Sequence, residues 1–196
     1  MTPMNASKDK PIVIIDTSVF GNLLDRKTSQ QTYDIFLEVD KDYNLAISKI
    51  TVHEIIARGT SDINSILSMF KKMKEFEISD YVIVFSGFLY NIGIKGHCDS
   101  IIASTAFLNR AVILTSNQKD FREPLFTEEK CWNVNYKDDE NRTASNNIYL
   151  LSSNTTKISE KILKIEYVKE GIARDLALKS RLRSRKSHTE TRTSGL

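Results

Sequence analysis

Four acidic residues lie close behind predicted strands or at the start of a predicted helix. They are Asp16, Glu54, Asp99 and Asp120. Asp16 directly follows the apolar, β-branched run at residues 12–15, and Asp120 follows a second such run, residues 111–115, by five positions. In open α/β sheets, sites form beyond the carboxyl ends of the strands. A fold of that kind would bring the four acids to one edge of the sheet.

Carboxylates gathered at one edge need a neutralising partner. At a separation of 4 Å, each pair costs roughly 4 kcal/mol at an effective dielectric of 20. Protons or a cation must offset that repulsion, and an oxygen-only ligand set favours Mg²⁺ or Mn²⁺. No Cys/His set has the spacing of a zinc site. A carboxylate-bound dication with its waters indicates hydrolysis of a phosphodiester.

Each acid also has an ordinary structural interpretation. Asp16 and Asp99 could be helix N-caps. Glu54 lies three residues after Thr51, as in a capping box, and Asp120 could form an Asx turn. Taken from the residues alone, both interpretations remain open.

The pattern of apolar residues predicts an α/β domain with a mostly parallel sheet over residues 11–136. Its predicted strands alternate with segments of helical periodicity. The strands are placed at residues 12–15, 44–48, 76–78, 111–115 and 130–136, and the helices at 17–24, 29–40, 51–58, 63–75, 81–93 and 99–109.

The C-terminal third has a different composition. Residues 137–147 are almost devoid of apolar side chains, so we predict a linker over residues 137–157. An amphipathic helix and a basic tail are predicted over 158–196, and residues 171–196 carry a net charge of +5. The tail is a candidate for electrostatic binding of a polyanion. The apolar stripe of the helix either docks a partner or second subunit, or packs on its own domain.

The chain shows no sequence of membrane-spanning length and no N-terminal stretch typical of a signal peptide. Its two cysteines, Cys98 and Cys131, do not form a disulfide framework. We therefore predict a cytoplasmic protein without a membrane partner.

Four short motifs, in order, resemble those of the PIN domain family. An apolar strand runs into Asp16-Thr17-Ser18, a second segment (48–55) carries Glu54, and a third (99–106) opens with Asp99. The fourth is Thr115-x-Asn117-x-x-Asp120-Phe121. The resemblance covers about residues 10–136 and includes the VapC-like toxins.

This resemblance implies a three-layer α/β/α sandwich and a metal-dependent ribonuclease. By the family's pattern, Asp16, Glu54 and Asp99 would be catalytic metal ligands for Mg²⁺ or Mn²⁺, and Asp120 or Asn117 would complete the site. Thr17 and Ser18 would support it by holding a water or orienting Asp16.

The resemblance also implies RNA as substrate and, for a toxin, a small antitoxin partner and a homodimer. The chain is longer than such toxins usually are. The alternatives are a catalytically inactive PIN-fold adapter that binds RNA or protein, and a nuclease directed at DNA or at particular structures.

Further candidates lie beside these motifs. His97 and His53 are candidate general acids, with ordinary surface roles as the alternative. Lys49, Lys95 and Lys119 could contact flanking phosphates or be solvated surface charges. The aromatic residues do not identify a base-reading surface, because those considered, such as Phe20 and Phe121, are equally plausible in the core.

Overall fold

The computed structural model describes residues 10–59, 63–121 and 124–165. The chain divides into two compact units, residues 1–158 and 159–196. The predicted basic tail, and the predicted helix beyond residue 165, lie outside the described residues.

Within the described ranges the chain forms one sheet of six strands in the order β3-β2-β1-β4-β6-β5. The strands are β1 (Ile12–Ile15), β2 (Asn44–Ser48), β3 (Lys74–Phe76), β4 (Val112–Thr115), β5 (Phe126–Lys137) and β6 (Thr143–Ser153). The first four strands are parallel, whereas β6 pairs antiparallel with both β4 and β5. The predicted fold class, α/β with a central, mostly parallel sheet, is confirmed.

Helices fill the connections between the parallel strands. They are α1 (Thr17–Leu24), α2 (Ser29–Asp42), α3 (Lys49–Ala57), α4 (Ile63–Phe70), α5 (Asp80–Asn91) and α6 (His97–Leu108), and α7 (Thr155–Ile162) follows the last strand. Right-handed crossovers place α1 to α4 on one face of the sheet and α5 and α6 on the other, because the chain reverses direction across the sheet after β3.

The central strands are apolar on both sides because both faces are covered. Val13 and Ile15 belong to a core cluster shared with α1 to α4, whereas Ile14 is equally buried on the opposite face. On that face α6 packs on β1 and β4 with small residues, Ala103 and Ala106, which allow a close approach. The continuous apolar run of β1 is therefore that of a strand buried on both faces.

The reversal of strand order falls between β1 and β4. The chain proceeds from β1 through β2 to β3 in one direction and then returns to place β4 on the other side of β1. Such a reversal opens a crevice at the carboxyl ends of the two strands. Asp16 and Thr115 lie there, so the fold positions the first and fourth motifs side by side.

The predicted linker over residues 137–157 is wrong. Residues 143–153 form β6, which lies between β4 and β5 in the sheet, and residues 138–142 are only the turn of a long hairpin. β4 covers β6 only near residues 149–151, so the far half of the hairpin extends past β4. There the β6 side chains at residues 143–147 are exposed or half-buried, which allows this half of the strand to have the polar composition of a linker.

Two helices differ from the periodicity-based prediction. Helix α4 ends at Phe70, five residues early, because the chain turns into β3. Helix α5 is in the predicted place but is not buried all round: Tyr81, Ile83, Val84 and Tyr90 are exposed. None of the described helices is long and apolar enough to cross a membrane. The cytoplasmic location stays a prediction.

Two truncated chains test whether the domain ends at Tyr136, as predicted from the sequence, or includes β6. We expect a chain that ends at Tyr136 to lose its cooperative thermal unfolding transition, because β5 loses its partner and β4 becomes an unpaired edge. A chain that ends at Ile165 serves as the control and should melt cooperatively. Circular dichroism measures both. A cooperative transition of the shorter chain at the control's temperature would contradict the sheet order.

Candidate active site

Asp16 is held at the point where β1 ends. Its backbone N–H donates to the Leu114 carbonyl at 2.9 Å, which continues the pairing of β1 with β4. Its Oδ2 accepts hydrogen bonds from Ser18 Oγ at 2.5 Å and from Thr115 Oγ1 at 2.7 Å. The residue is only 3% exposed, so two neutral hydroxyls hold a buried carboxylate in place.

Burial has the largest effect on the pKa of Asp16. Desolvation raises its pKa above the usual value of 3.8, and the hydrogen bonds from Ser18 and Thr115 oppose that rise. The negative charge of Glu54 raises the pKa further. Asp16 forms no ion pair with the described residues, so its charge is left without a cationic partner there.

Glu54 comes from α3, which begins immediately after β2. Thr17 Oγ1 donates to Glu54 Oε2 at 2.5 Å, so the residue after Asp16 ties the second motif to the first. The Cys98 thiol donates to the same carboxylate, and burial followed by the charge of Glu54 raises the pKa of that thiol to about 11. Cys98 is therefore a neutral hydrogen-bond donor at physiological pH.

The charges of the other three acids act on Asp99. It lies in the first turn of α6 and is half-buried. Its pKa is raised to about 7, first by desolvation and then by the negative charges of Asp16, Asp120 and Glu54. Asp16, Asp120 and Glu54 are therefore close enough for their charges to act on Asp99, and the assignment of the four acids to one functional site stays a prediction.

The fourth motif forms a turn of 3₁₀ helix, Gln118–Asp120, behind β4. The Asn117 side-chain amide donates to Asp120 Oδ2. The Asn117 backbone N–H donates to Thr115 Oγ1 at 2.9 Å, and the Ser116 N–H donates to Ser18 Oγ at 3.0 Å. Asn117 therefore positions Asp120, whose charge acts on Asp99. The completion of a metal site by Asp120 or Asn117 stays a prediction.

The observed helix ends contradict the capping roles that were considered for Asp16, Glu54 and Asp99. Asp16 occupies the N-cap position of α1, but its side chain makes no capping hydrogen bond. Helix α3 starts at Lys49 with Ser48 as its N-cap, so Glu54 lies too far into the helix to form a capping box. Gly96, not Asp99, is the N-cap of α6. Helix capping therefore does not account for these three carboxylates.

Three residues around the site were not among the predicted site residues. Gly96 has a φ of +91°, and a Cβ placed there would lie 2.3 Å from Asp99 Oδ2, so only glycine leaves room for that carboxylate. Thr115 and Cys98 donate to Asp16 and Glu54. A glycine three residues before Asp99 was the one signal for Gly96, and Thr115 opens the fourth motif, whereas the role of Cys98 is recognisable only from tertiary geometry.

The donor chemistry suits a hard dication, but the side chains do not converge on one point. All four acids offer oxygen, the ligand type that Mg²⁺ and Mn²⁺ prefer. Within the described residues, no three His, Cys, Asp or Glu side chains are arranged to hold one ion. Asp16, Glu54 and Asp120 instead accept hydrogen bonds from hydroxyl, thiol or amide neighbours.

The further candidates have different surroundings. Lys49 forms ion pairs with Glu77 at 2.5 Å and with Glu75 at 3.7 Å, which competes with a phosphate contact. His53 is exposed on α3. His97 is exposed at the start of α6, and its ring stacks on that of Tyr90.

Comparisons with known proteins yield likenesses of fold. No protein-family model matches the chain, and no curated protein matches it. A toxin–antitoxin complex from Klebsiella pneumoniae contains a chain that is 23% identical, with a TM-score of 0.49 over 57% of this chain and 92% of that one. VapBC2 from Rickettsia felis, bound to a DNA fragment from its promoter, gives 22% identity and a TM-score of 0.48 over 56% and 90%.

Replacing Asp99 with Asn should stabilise the metal-free protein. A raised pKa means that folded Asp99 binds its proton more tightly than the unfolded chain does, so stability falls as the pH rises from about 4 to about 7. Above that window, Asp99→Asn should be about 1 kcal/mol more stable than the parent, a Tm increase of roughly 3 °C.

Thermal melts in EDTA at pH 4 and pH 8 measure this effect. The control is Asp34→Asn, because Asp34 is exposed on α2 and lies outside the cluster. We expect the control to melt with the parent at both pH values. A lower Tm for Asp99→Asn than for the parent at pH 8 would contradict a repulsive carboxylate cluster.

Proposed function

We propose that the protein is a metal-dependent endoribonuclease with a PIN-like site formed by Asp16, Glu54, Asp99 and Asp120. The observation that carries the proposal is the pKa of Asp99, which desolvation and three neighbouring carboxylates raise to about 7. Repulsion between neighbouring carboxylates destabilises the folded state, so packing alone does not explain why they lie together. Carboxylates with perturbed pKa values in a crevice are typical of catalytic centres.

Asp16, Glu54 and Asp99 are the residues proposed to hold Mg²⁺ or Mn²⁺, completed by Asp120 or Asn117. In the described structure the hydrogen bonds from Thr17 and Asn117 go to one oxygen of Glu54 and of Asp120, respectively, so the second oxygen of each carboxylate would be available to a cation. When bound, a dication supplies positive charge for the phosphate and lowers the pKa of a water. Because the pKa of Asp99 is raised to about 7, a cation bound by this carboxylate near pH 7 would compete with its proton.

The chain's own side chains supply orientation and proton transfer. Ser18 and Thr115 fix Asp16 at the end of β1, so this carboxylate needs no rearrangement. Thr17 and Cys98 orient Glu54, the candidate base for the attacking water. Gly96 leaves the space that the Asp99 carboxylate occupies.

The finer proposal is that this ribonuclease is the toxin of a toxin–antitoxin pair and works with a small antitoxin and as a homodimer. The motif resemblance to VapC-like proteins supports it, and the two structural neighbours come from toxin–antitoxin complexes. An inactive adapter would be the function of a chain with a disrupted acid set. Here Asp16, Glu54 and Asp99 are all present and near one another.

Purified protein should cleave a mixed RNA pool with Mg²⁺ or Mn²⁺ and not with EDTA. Asp16→Asn and Asp99→Asn should each lower the rate at least about 100-fold, because each removes a charged ligand and keeps the side-chain size. Asp34→Asn is the matched control and should retain the parental rate. Gel electrophoresis of end-labelled RNA measures the products.

Glycine variants test the geometry around Asp99 without touching an acid. Gly96→Ala should lose cleavage and the Mn²⁺-induced rise in Tm, because the added methyl group would displace the Asp99 carboxylate. The methyl group of Gly87→Ala meets nothing within 4 Å, so this variant should behave like the parent.

Cleavage that is unchanged in Asp16→Asn and Asp99→Asn would reveal a contaminant. Absence of both cleavage and Mn²⁺ binding in the parent would favour the adapter.

Expression in a bacterial host tests the toxin proposal separately. Induction of the parent should arrest growth, and induction of Asp99→Asn to the same protein level should not, because growth arrest by a toxin of this type requires cleavage. Colony counts after induction measure the difference. Normal growth with a parent that cleaves RNA in vitro would argue for a nuclease that is not a toxin.

A further inference from the structure

The β5–β6 hairpin extends past the end of β4 on the side where the acids lie. Because β6 runs antiparallel to β4 and its Tyr149 pairs with Thr115, the last residue of β4, the lower-numbered part of β6 continues beyond that end. Asp16 follows β1 at the same edge of the sheet. Residues 132–148, which comprise this part of β6, the turn and the paired part of β5, form an arm beside the acid cluster.

The two faces of the arm differ in chemistry. Val134 and Ile148 belong to the core cluster, and Trp132 packs against that cluster from the same face. On the opposite face Asn133 pairs with Asn147, and Asn133 Nδ2 donates to Asn147 Oδ1 at 3.1 Å. Side chains alternate between the two faces of a strand, and directly opposed residues share a face. Core packing therefore accounts for the first face but not for the polar one.

Tyr149 lies on the polar face, in the same row of the sheet as Asp16. It is the register partner of Thr115, whose hydroxyl donates to Asp16 Oδ2 at 2.7 Å. The side chains of two directly opposed residues start on the same face, with Cβ atoms about 5 Å apart. The Tyr149 side chain therefore begins beside that of Thr115. Its backbone is two strand spacings, about 10 Å, from that of Asp16.

A hydrogen bond directs the Tyr149 hydroxyl past the end of β4. Asn147, two residues further along the arm, donates from Nδ2 to the Tyr149 hydroxyl oxygen at 3.0 Å. The bonds run in one sense, from Asn133 to Asn147 to Tyr149, with each amide N–H donating to the next oxygen. Among the described residues the Tyr149 O–H proton has no acceptor of its own, so the chain of bonds ends on a donor beside the crevice.

We propose that Tyr149 is a further substrate-binding residue, whose hydroxyl donates a hydrogen bond to a phosphate oxygen of the bound nucleic acid strand. The proposal rests on the proposed nuclease function and deepens it by one contact. A strand with its scissile phosphate at the acids and its backbone running across the end of β4 passes this hydroxyl. Tyrosine is among the side chains with which proteins contact nucleic acid phosphates.

A neutral donor suits this position because the neighbouring site is acidic. Carboxylates repel the phosphate backbone, so the strand needs donors close to the cluster. A lysine or arginine in the row of Asp16 would pair with the carboxylates and compensate their charge. A phenol does not, and its hydrogen bond to a charged phosphate oxygen is stronger than one to a neutral acceptor.

Tyr149→Phe removes the hydroxyl and keeps the ring. Its Kd for a fluorescein-labelled, single-stranded 12-mer RNA should be at least about 10-fold weaker than that of the parent, because a hydrogen bond to a charged group is lost. Fluorescence anisotropy in EDTA measures the Kd where metal-dependent cleavage cannot occur. Thermal melts check that each variant is folded.

Tyr136→Phe is the matched control. Tyr136 is half-buried like Tyr149 and lies in the same hairpin, but it pairs with Ala144 and shares the face of Val134. The same chemical change on that face should leave the Kd at the parental value.

Metal binding separates a contact with the strand from a structural role. If Tyr149 only braced Thr115, its replacement would disturb Asp16 and lower the Mn²⁺-induced rise in Tm. We expect Tyr149→Phe to keep the parental rise while it loses RNA affinity. A loss of both would assign Tyr149 to the support of Asp16 and overturn the contact.

The remaining outcomes distinguish this contact from the nuclease function. A parent that cleaves RNA while Tyr149→Phe binds it equally well would overturn the contact and leave the nuclease. Binding that depends on Tyr149 in a parent that cleaves no RNA with Mg²⁺ or Mn²⁺ would keep the contact and overturn the nuclease. An equal loss of affinity in Tyr136→Phe, or a parent that binds no RNA, would also overturn the contact.

Discussion

Carboxylates at one edge of a sheet repel each other, and here the packing of the sheet holds them together against that repulsion. Asp16 cannot withdraw, because the β1 residues before it are buried on both faces and its own N–H is bonded to β4. Moving Asp16 away would expose Val13, Ile14 and Ile15, at a cost of about 2 kcal/mol for each buried side chain. Hydrophobic burial therefore stabilises an arrangement that electrostatics alone would disperse.

Within the described residues, the side chains that donate hydrogen bonds to Asp16 and Glu54 are neutral. Hydroxyls of Thr17, Ser18 and Thr115 and the Cys98 thiol donate hydrogen bonds to Asp16 or Glu54. Neutral donors orient a carboxylate without compensating its charge, in contrast to a lysine or arginine, which would do both. These donors therefore do not compensate the negative charge of the cluster. The remaining adjustment is the proton on Asp99, whose pKa lies near physiological pH.

The sheet and the acids were predictable from the sequence to different degrees. Buried parallel strands are continuous apolar runs, so β1, β2 and β4 were predicted within a residue of their bounds. The edge shared by the acids followed from the rule that sites form beyond the carboxyl ends of strands. β6 was missed, because the half of it that extends past β4, residues 143–147, is polar and matches the composition of a loop, although the apolar run at residues 148–151 was a strand signal. Gly96 and Cys98 act through tertiary geometry, which local pattern does not encode.

The missed strand also belongs to the scaffold of the site. In the β4–β6 pairing, Thr115 lies opposite Tyr149, so β6 braces the residue whose hydroxyl binds Asp16. Without β6, β4 would be an edge strand, and edge strands are the least constrained part of a sheet. Thr115 would then be held from one side only, by β1. Residues 143–153 are therefore not an appendage to a finished domain. They complete the sheet on the side where the fourth motif must be rigid, and the carboxylate geometry depends on them as much as on the motifs themselves.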